Sequence, residues 1–220
     1  MKFLKGLLIV VIVLLLVILS AFGLLKIKTN KILDDYSNIY KDEKYQQSYL
    51  IDDIDVIKQD VSCGYAVIEL FARWNNNFDL TENSLYDEYG KVVTSTGKSF
   101  EKEMNKQFSD YTTTMYKYLK SSELIDKVYN SLSKGIPVPF EWAAKYENTW
   151  TLHYSLIIGI DVASDKITIS NPYGYLEEIS IDEFISRTSF KAYEKMPAFL
   201  KLGFAFGIFE KNAIFIVEKK

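Results

Sequence analysis

The sequence predicts an α+β fold: a helical first half, an antiparallel sheet from the second half, and one transmembrane helix in front of both. Three observations carry this. Gly6 to Leu25 is an unbroken run of 20 uncharged residues. Apolar residues then recur at helical spacing between 62 and 133. From 136 onward they alternate between turn signals, as strands do. Helices followed by strands, rather than interleaved with them, favour α+β over a parallel sheet. At 220 residues, 48% hydrophobic and 25% charged, the chain has material for one medium domain and is too apolar for disorder.

The N-terminal tail, residues 1–5, is short and basic. Residues 6–25 follow as a membrane anchor: 20 helical residues span about 30 Å, the thickness of a hydrocarbon core. In lipid only a helix satisfies such a stretch of backbone. A cleaved signal peptide is the alternative, but its apolar region runs about 7–15 residues, and Ser20-Ala21-Phe22-Gly23 is a mediocre cleavage site. Lys2 and Lys5 on one side nearly balance Lys26, Lys28 and Lys31 on the other, so the positive-inside rule gives close to a tie. The shortness of the tail favours a single-pass protein of the cell membrane with an extracytoplasmic body. Residues 26–50, polar with scattered Tyr and Leu, read as a stalk, and 51–220 as the domain.

Within the domain, Val67, Leu70, Phe71 and Trp74 form one apolar stripe of a helix that Ser62 would cap and Asn75-Asn76-Asn77 would stop. Residues 99–119 and 122–133 predict further helices, the second with Glu123 and Asp126 where the helix dipole favours acids and Gly135 at its end. Residues 136–142 are extended by two prolines. TLHYSLIIGID and KITIS flank a hairpin connection at 162–165, and Asn171-Pro172-Tyr173-Gly174 is a turn by its chemistry. A short helix is expected at 180–187 and a closing strand at 213–218. Alternating large and small residues from Leu202 to Ile208 suggest another strand, and Phe199, Phe204, Phe206 and Phe209 read as core, with a groove wall or a lipid contact as alternatives.

Charge and composition narrow the chemistry. Beyond residue 26 the chain holds 23 basic and 29 acidic residues, a net −6, a poor match for nucleic acid. One cysteine and one histidine exclude an internal disulfide and any Cys/His zinc cage. Cys63 falls in the first turn of a predicted helix, where free N–H groups and the dipole favour a thiolate. A nucleophilic cysteine also needs a base and a group to hold the base. Only His153, on the alternating strand TLHYSLI, can be that base. Asn171, at the end of the next strand, is placed to hold it. Gln59, four residues before Cys63, offers an amide N–H for an oxyanion hole. Asp60 works against the thiolate. The structural alternative is plain: a lone cysteine is usually a buried small hydrophobe, and a lone strand histidine a satisfied core residue.

Gln59-Asp-Val-Ser-Cys63-Gly-Tyr-Ala, Gly135-Ile-Pro-Val, His153-Tyr-Ser-Leu-Ile-Ile-Gly159-Ile-Asp161 and Asn171-Pro-Tyr-Gly174 resemble, in that order, the papain-like bacteriocin-processing peptidases. These are the double-glycine leader peptidases of bacteria, cysteine peptidase family thirty-nine, with their stand-alone relatives. The resemblance covers roughly residues 50–190. It implies a papain-like fold, with Cys63 as nucleophile, His153 as base and then acid, Asn171 as orienter and Gln59 as oxyanion donor. It implies a peptide or protein substrate and no cofactor or metal. The family's Gln commonly stands about six residues before the Cys, and Asn171 replaces a more usual Asp. No transporter domain follows, so cleavage coupled to export is not implied. A silent peptide-binding module of the same fold is the rival from another class, and an acyltransferase or deamidase could use the same triad.

Other chemistries lack a pattern. Asp52, Asp53 and Asp55 read as solvated, Glu177 and Glu178 face opposite ways on a strand, and no phosphate-binding glycine motif is present.

Overall fold

The computed structural model describes residues 2–90, 94–146, 148–191 and 196–220. Helix α1 (Lys2–Ile32) comes first, followed by two short 3-10 turns and strand β1 (Tyr49–Leu50). Helices α2 (Cys63–Trp74), α3 (Glu82–Tyr89) and α4 (Gly97–Gln107) come next, then β2 (Tyr111–Tyr116) and α5 (Ser121–Leu132). The remainder is β3 (Val138–Tyr146), β4 (Thr149–Asp161), β5 (Lys166–Asn171), β6 (Tyr175–Ile179), α6 (Ile181–Thr188), α7 (Ala198–Ala205) and β7 (Ile214–Lys219). The strands form one antiparallel sheet in the order β2-β7-β3-β4-β5-β6, and β1 pairs with the end of β4 beyond β3.

The sheet separates two apolar layers, because successive strand residues point to opposite faces. On one face Tyr65, Ile68 and Phe71 of α2 pack with Tyr154, Leu156, Ile158 and Phe215. On the other, Leu124, Ile125 and Val128 of α5 and Phe184 of α6 pack with Phe140, Trp142 and Ile157. β3 and β4 are therefore buried on both sides, which explains their nearly continuous apolar sequence.

Three expectations are corrected. The helix foreseen over 99–119 ends at Gln107, and its second part is strand β2. Tyr111-Thr-Thr-Thr-Met-Tyr116 is rich in β-branched and aromatic residues, and its partner is the distant β7, so long-range pairing overrides local pattern. The strand foreseen over 202–208 is mostly helix α7, begun at Pro197, because β7 is already paired by β2 and β3. The phenylalanine cluster splits: Phe204 is buried and Phe209 half-buried, while Phe199 and Phe206 are exposed.

The segment expected as a stalk is docked on the domain rather than held off it. Ile39 and Tyr45 are buried against α5. Asp34 accepts a hydrogen bond from the Ser122 N–H at 3.1 Å and so caps α5, while the Tyr45 hydroxyl donates to Asp126 at 2.7 Å. The apolar residues of α1 from Leu4 to Leu16 are exposed, so this helix is long and apolar enough to cross a membrane.

Candidate active site

Cys63 opens α2, as its sequence position predicts. Ser62 occupies the N-cap in an extended conformation, but its side chain makes no cap bond and instead meets the Thr94 hydroxyl at 3.2 Å. The Cys63 and Gly64 N–H groups, in the first turn of α2, act to lower the thiol's pKa. Glycine at 64 has a steric cause: a Cβ there would lie 2.4 Å from Thr94 Oγ1. The loop before the cysteine is held by Glu82 at the start of α3, whose carboxylate accepts from the backbone N–H groups of Asp60 (2.9 Å), Val61 (2.8 Å) and Ser62. Glu69 accepts in turn from the Glu82 N–H at 2.7 Å and pairs with Arg73. Neither acid was legible as part of the site, since each sits on an ordinary helix pattern.

His153 lies on β4, opposite Trp142 of β3, and is 1% exposed. Its Nε2 is 3.0 Å from Asn171 Oδ1 at the end of β5. Two further bonds fix which end of that carboxamide is oxygen. The Tyr173 N–H donates to Oδ1 at 3.0 Å, and Nδ2 donates to Glu177 Oε2 at 2.8 Å. Oδ1 can only accept, so His153 Nε2 carries the proton and Nδ1 keeps its lone pair. The bonding continues outward: Glu177 Oε1 pairs with Arg187 Nη1 at 2.6 Å, and Arg187 Nε donates to the Ala143 carbonyl at 2.8 Å. The guanidinium lies 3.5 Å from the centre of the Trp142 ring. Tyr173 stacks on the imidazole at 4.1 Å and 17°.

The four predicted side chains belong to elements that meet. α2 packs across β4. The Tyr154 N–H, one residue along β4 from His153, is among the backbone groups that act on the Cys63 thiol against its burial. The Gln59 N–H donates to the Pro172 carbonyl at 2.7 Å, and Lys58 bridges to Tyr173, so the loop before the cysteine is tied to the turn after Asn171. Gln59 Oε1 is buried and has no partner among the described residues. A cleft of about 460 Å³ opens here, lined by Lys58, Gln59, Tyr146, Thr149, Thr151 and Tyr173.

The electrostatics depart from expectation. Burial pushes the Cys63 thiol up to about 11, against the N–H groups of Tyr154, Gly64 and Cys63, and the carboxylate that adds to the rise is Glu141, while Asp60 is exposed. The helix start alone would have lowered it. Burial also draws His153 down to about 4, with the charge of Arg187 adding to the fall and the Asn171 bond opposing it. Glu141, fully buried, is raised to about 7 by desolvation, with Glu210 adding to the rise and Tyr154 and Lys117 opposing it. Among the described residues no three His, Cys, Asp or Glu side chains gather as metal ligands would. Asp55 pairs with Arg73 instead.

A helix that begins with cysteine, laid over the strand that carries the histidine, is the layout of the papain-like cysteine peptidases. The chain belongs to the Peptidase_C39 like family, whose model matches residues 29–200. Among solved structures, a double glycine motif protease from an AMS/PCAT transporter, crystallised in complex with the leader peptide, is similar at 14% identity with a TM-score of 0.49, over 80% of this chain and 100% of that one. No curated protein matches.

Proposed function

We propose that this is a membrane-anchored cysteine peptidase, with residues 6–25 in the bilayer and the domain on the extracytoplasmic side. Cys63 is the nucleophile, His153 the base and then the acid, and Asn171 the orienter. The observation that carries the reading is the 3.0 Å bond from His153 to an Asn171 carboxamide fixed at both ends, which leaves Nδ1 as the free base. In the first half-reaction Nδ1 takes the Sγ proton, and sulfur attacks the peptide carbonyl carbon. The oxyanion accepts from the Cys63 N–H and from the side-chain N–H of Gln59, four residues ahead of the nucleophile. The imidazolium then protonates the leaving amine, giving a thioester. Water, deprotonated by His153, attacks the thioester and releases the acid and the thiol. Resting thiol and imidazole are both neutral at pH 7, so the ion pair forms as attack proceeds, its mutual attraction offsetting burial.

The raised thiol favours a second reading, a peptide-binding module without turnover. Iodoacetamide alkylation of the sole cysteine as a function of pH separates them. A working pair gives a rate plateau reaching below about pH 7, abolished in His153→Ala. A silent thiol reacts only as pH approaches about 10 or more, with or without His153. For the enzyme, hydrolysis of a peptide library by the wild type and its loss in Cys63→Ala complete the test. Product analysis with added amines distinguishes hydrolysis from acyl transfer.

A further inference from the structure

Helix α1 does not stand clear of the domain along its whole length. Ile18, Ala21, Leu25 and Thr29 are half-buried and Ile32 buried, a single stripe at helical spacing. The domain meets this stripe with α7. Leu25 packs on the cluster of Phe190, Met196, Leu200 and Phe204, and Lys211 donates to Thr29 Oγ1 at 2.9 Å. Yet the uncharged run ends only at Leu25. From Ile18 to Leu25 the helix rises about 10 Å. Whatever packs beside those residues shares their depth.

α7 suits that depth. Leu200, Gly203 and Phe204 face inward, while Phe199, Leu202 and Phe206 at i, i+3 and i+7 face out, followed by Ile208 in the next turn. Phe199 is 68% exposed, Phe206 51% and Ile208 55%, a cost in water for three large apolar side chains on one small element. Phe209 folds back on Gly203, where a Cβ would lie 2.4 Å from its ring, so helix and turn form one compact unit. Lys26 and Lys31 on α1, just beyond the uncharged run, supply cations at the level of phosphate headgroups.

We propose that α7 and its following turn, through Phe199, Leu202, Phe206 and Ile208, are buried in the lipid leaflet facing the domain, so that the domain is seated on the bilayer rather than tethered above it. The inference rests on α1 being a membrane span. The bilayer is the occupant because the exposed face is continuous with the lipid-exposed surface of that helix.

The test places a photocrosslinking residue at Phe199, Phe206, Leu14 or Phe78 in the full chain, reconstituted in phosphatidylcholine vesicles containing phosphatidylglycerol. Phe78, in the loop after α2, is 64% exposed and is the soluble control. Lipid adducts at 199 and 206 are expected to match those at 14 and to exceed those at 78 by about tenfold or more. Adducts at 14 with 199 and 206 at the level of 78 would overturn the inference and leave the anchor standing. Absence of adducts at 14 would remove the anchor, and the inference with it. Crosslinks from 199 or 206 to a second copy of the chain would also overturn it, by making this face a self-association surface.

Discussion

Two adjacent rungs of the β3–β4 ladder, Trp142↔His153 and Glu141↔Tyr154, carry polar groups on opposite faces of the sheet and treat them differently. On the His153 face a chain of bonded groups runs from the imidazole Nε2 through Asn171 and Glu177 to Arg187 and the Ala143 carbonyl. On the other face both Glu141 carboxylate oxygens and the Tyr154 hydroxyl are buried without a well-formed hydrogen bond among the described residues. The satisfied side holds the imidazole in one tautomer and one orientation. On the unsatisfied side burial raises the Glu141 carboxyl to about 7, and its charge adds to the burial-driven rise of the Cys63 thiol. Position and charge thus act from opposite faces of the same β3–β4 ladder.

The hardest break of this contrast removes the proposed nucleophile or the proposed base. Cys63→Ala or His153→Ala is expected to lower peptide hydrolysis by about 10³-fold or more, whereas Glu141→Gln, equally close in the ladder, leaves it within about tenfold. Steady-state hydrolysis rates of the three variants check this.

Next is the outer end of the satisfied chain. Glu177→Ala leaves Arg187 buried without its main carboxylate and frees one end of Asn171, which should destabilise the fold by about 3–5 kcal/mol. Glu177→Gln retains an acceptor for the Asn171 amide and should recover part of the activity, and the paired chemical denaturation curves and rates separate positioning from folding.

The two faces should also differ in their pH dependence. His153 falls from its ordinary 6.5 to about 4, so the folded state binds fewer protons than the unfolded one between those values and its stability drops on acidification through that window. Glu141 rises from its ordinary 4.5 to about 7, so the folded state binds more protons there and its stability drops as pH climbs through that window. The opposed slopes largely cancel in the wild type. Thermal unfolding in detergent from about pH 4 to 8 should show Glu141→Gln gaining stability with pH and His153→Gln losing it, each by about 3 kcal/mol over the range.

The smallest effect sharpens the cysteine's own seat. Gly64→Ala pushes a Cβ to within 2.4 Å of Thr94 Oγ1 and 2.5 Å of its Cβ, and the double variant Gly64→Ala with Thr94→Gly removes both atoms. A loss of about 1–3 kcal/mol in the single variant, partly restored in the double, is expected from urea melts.

Much of this was legible in the chain because it is local. A 20-residue uncharged run, a cysteine at a helix start and a histidine in an alternating strand are each visible within one turn or one strand. The strand nature of 111–116 was not visible, since its pairing partner begins at residue 214. Nor was the role of Glu177, whose partner Arg187 arrives from another element. The thiol's expected acidity reversed because a helix start favours the anion locally, while burial under the rest of the domain disfavours it more.

By itself the sequence determined that the chain is α+β, which residues are able to do nucleophilic chemistry, and that residues 6–25 are fit for lipid. Periodicity, a single sulfur and a single imidazole are properties of the chain and need no neighbours. Only the tertiary structure decided which groups are charged, which carboxamide end meets the histidine, and which of the phenylalanines are left outside. Those depend on what is packed against each side chain, and desolvation and hydrogen-bond geometry exist only after distant segments have met.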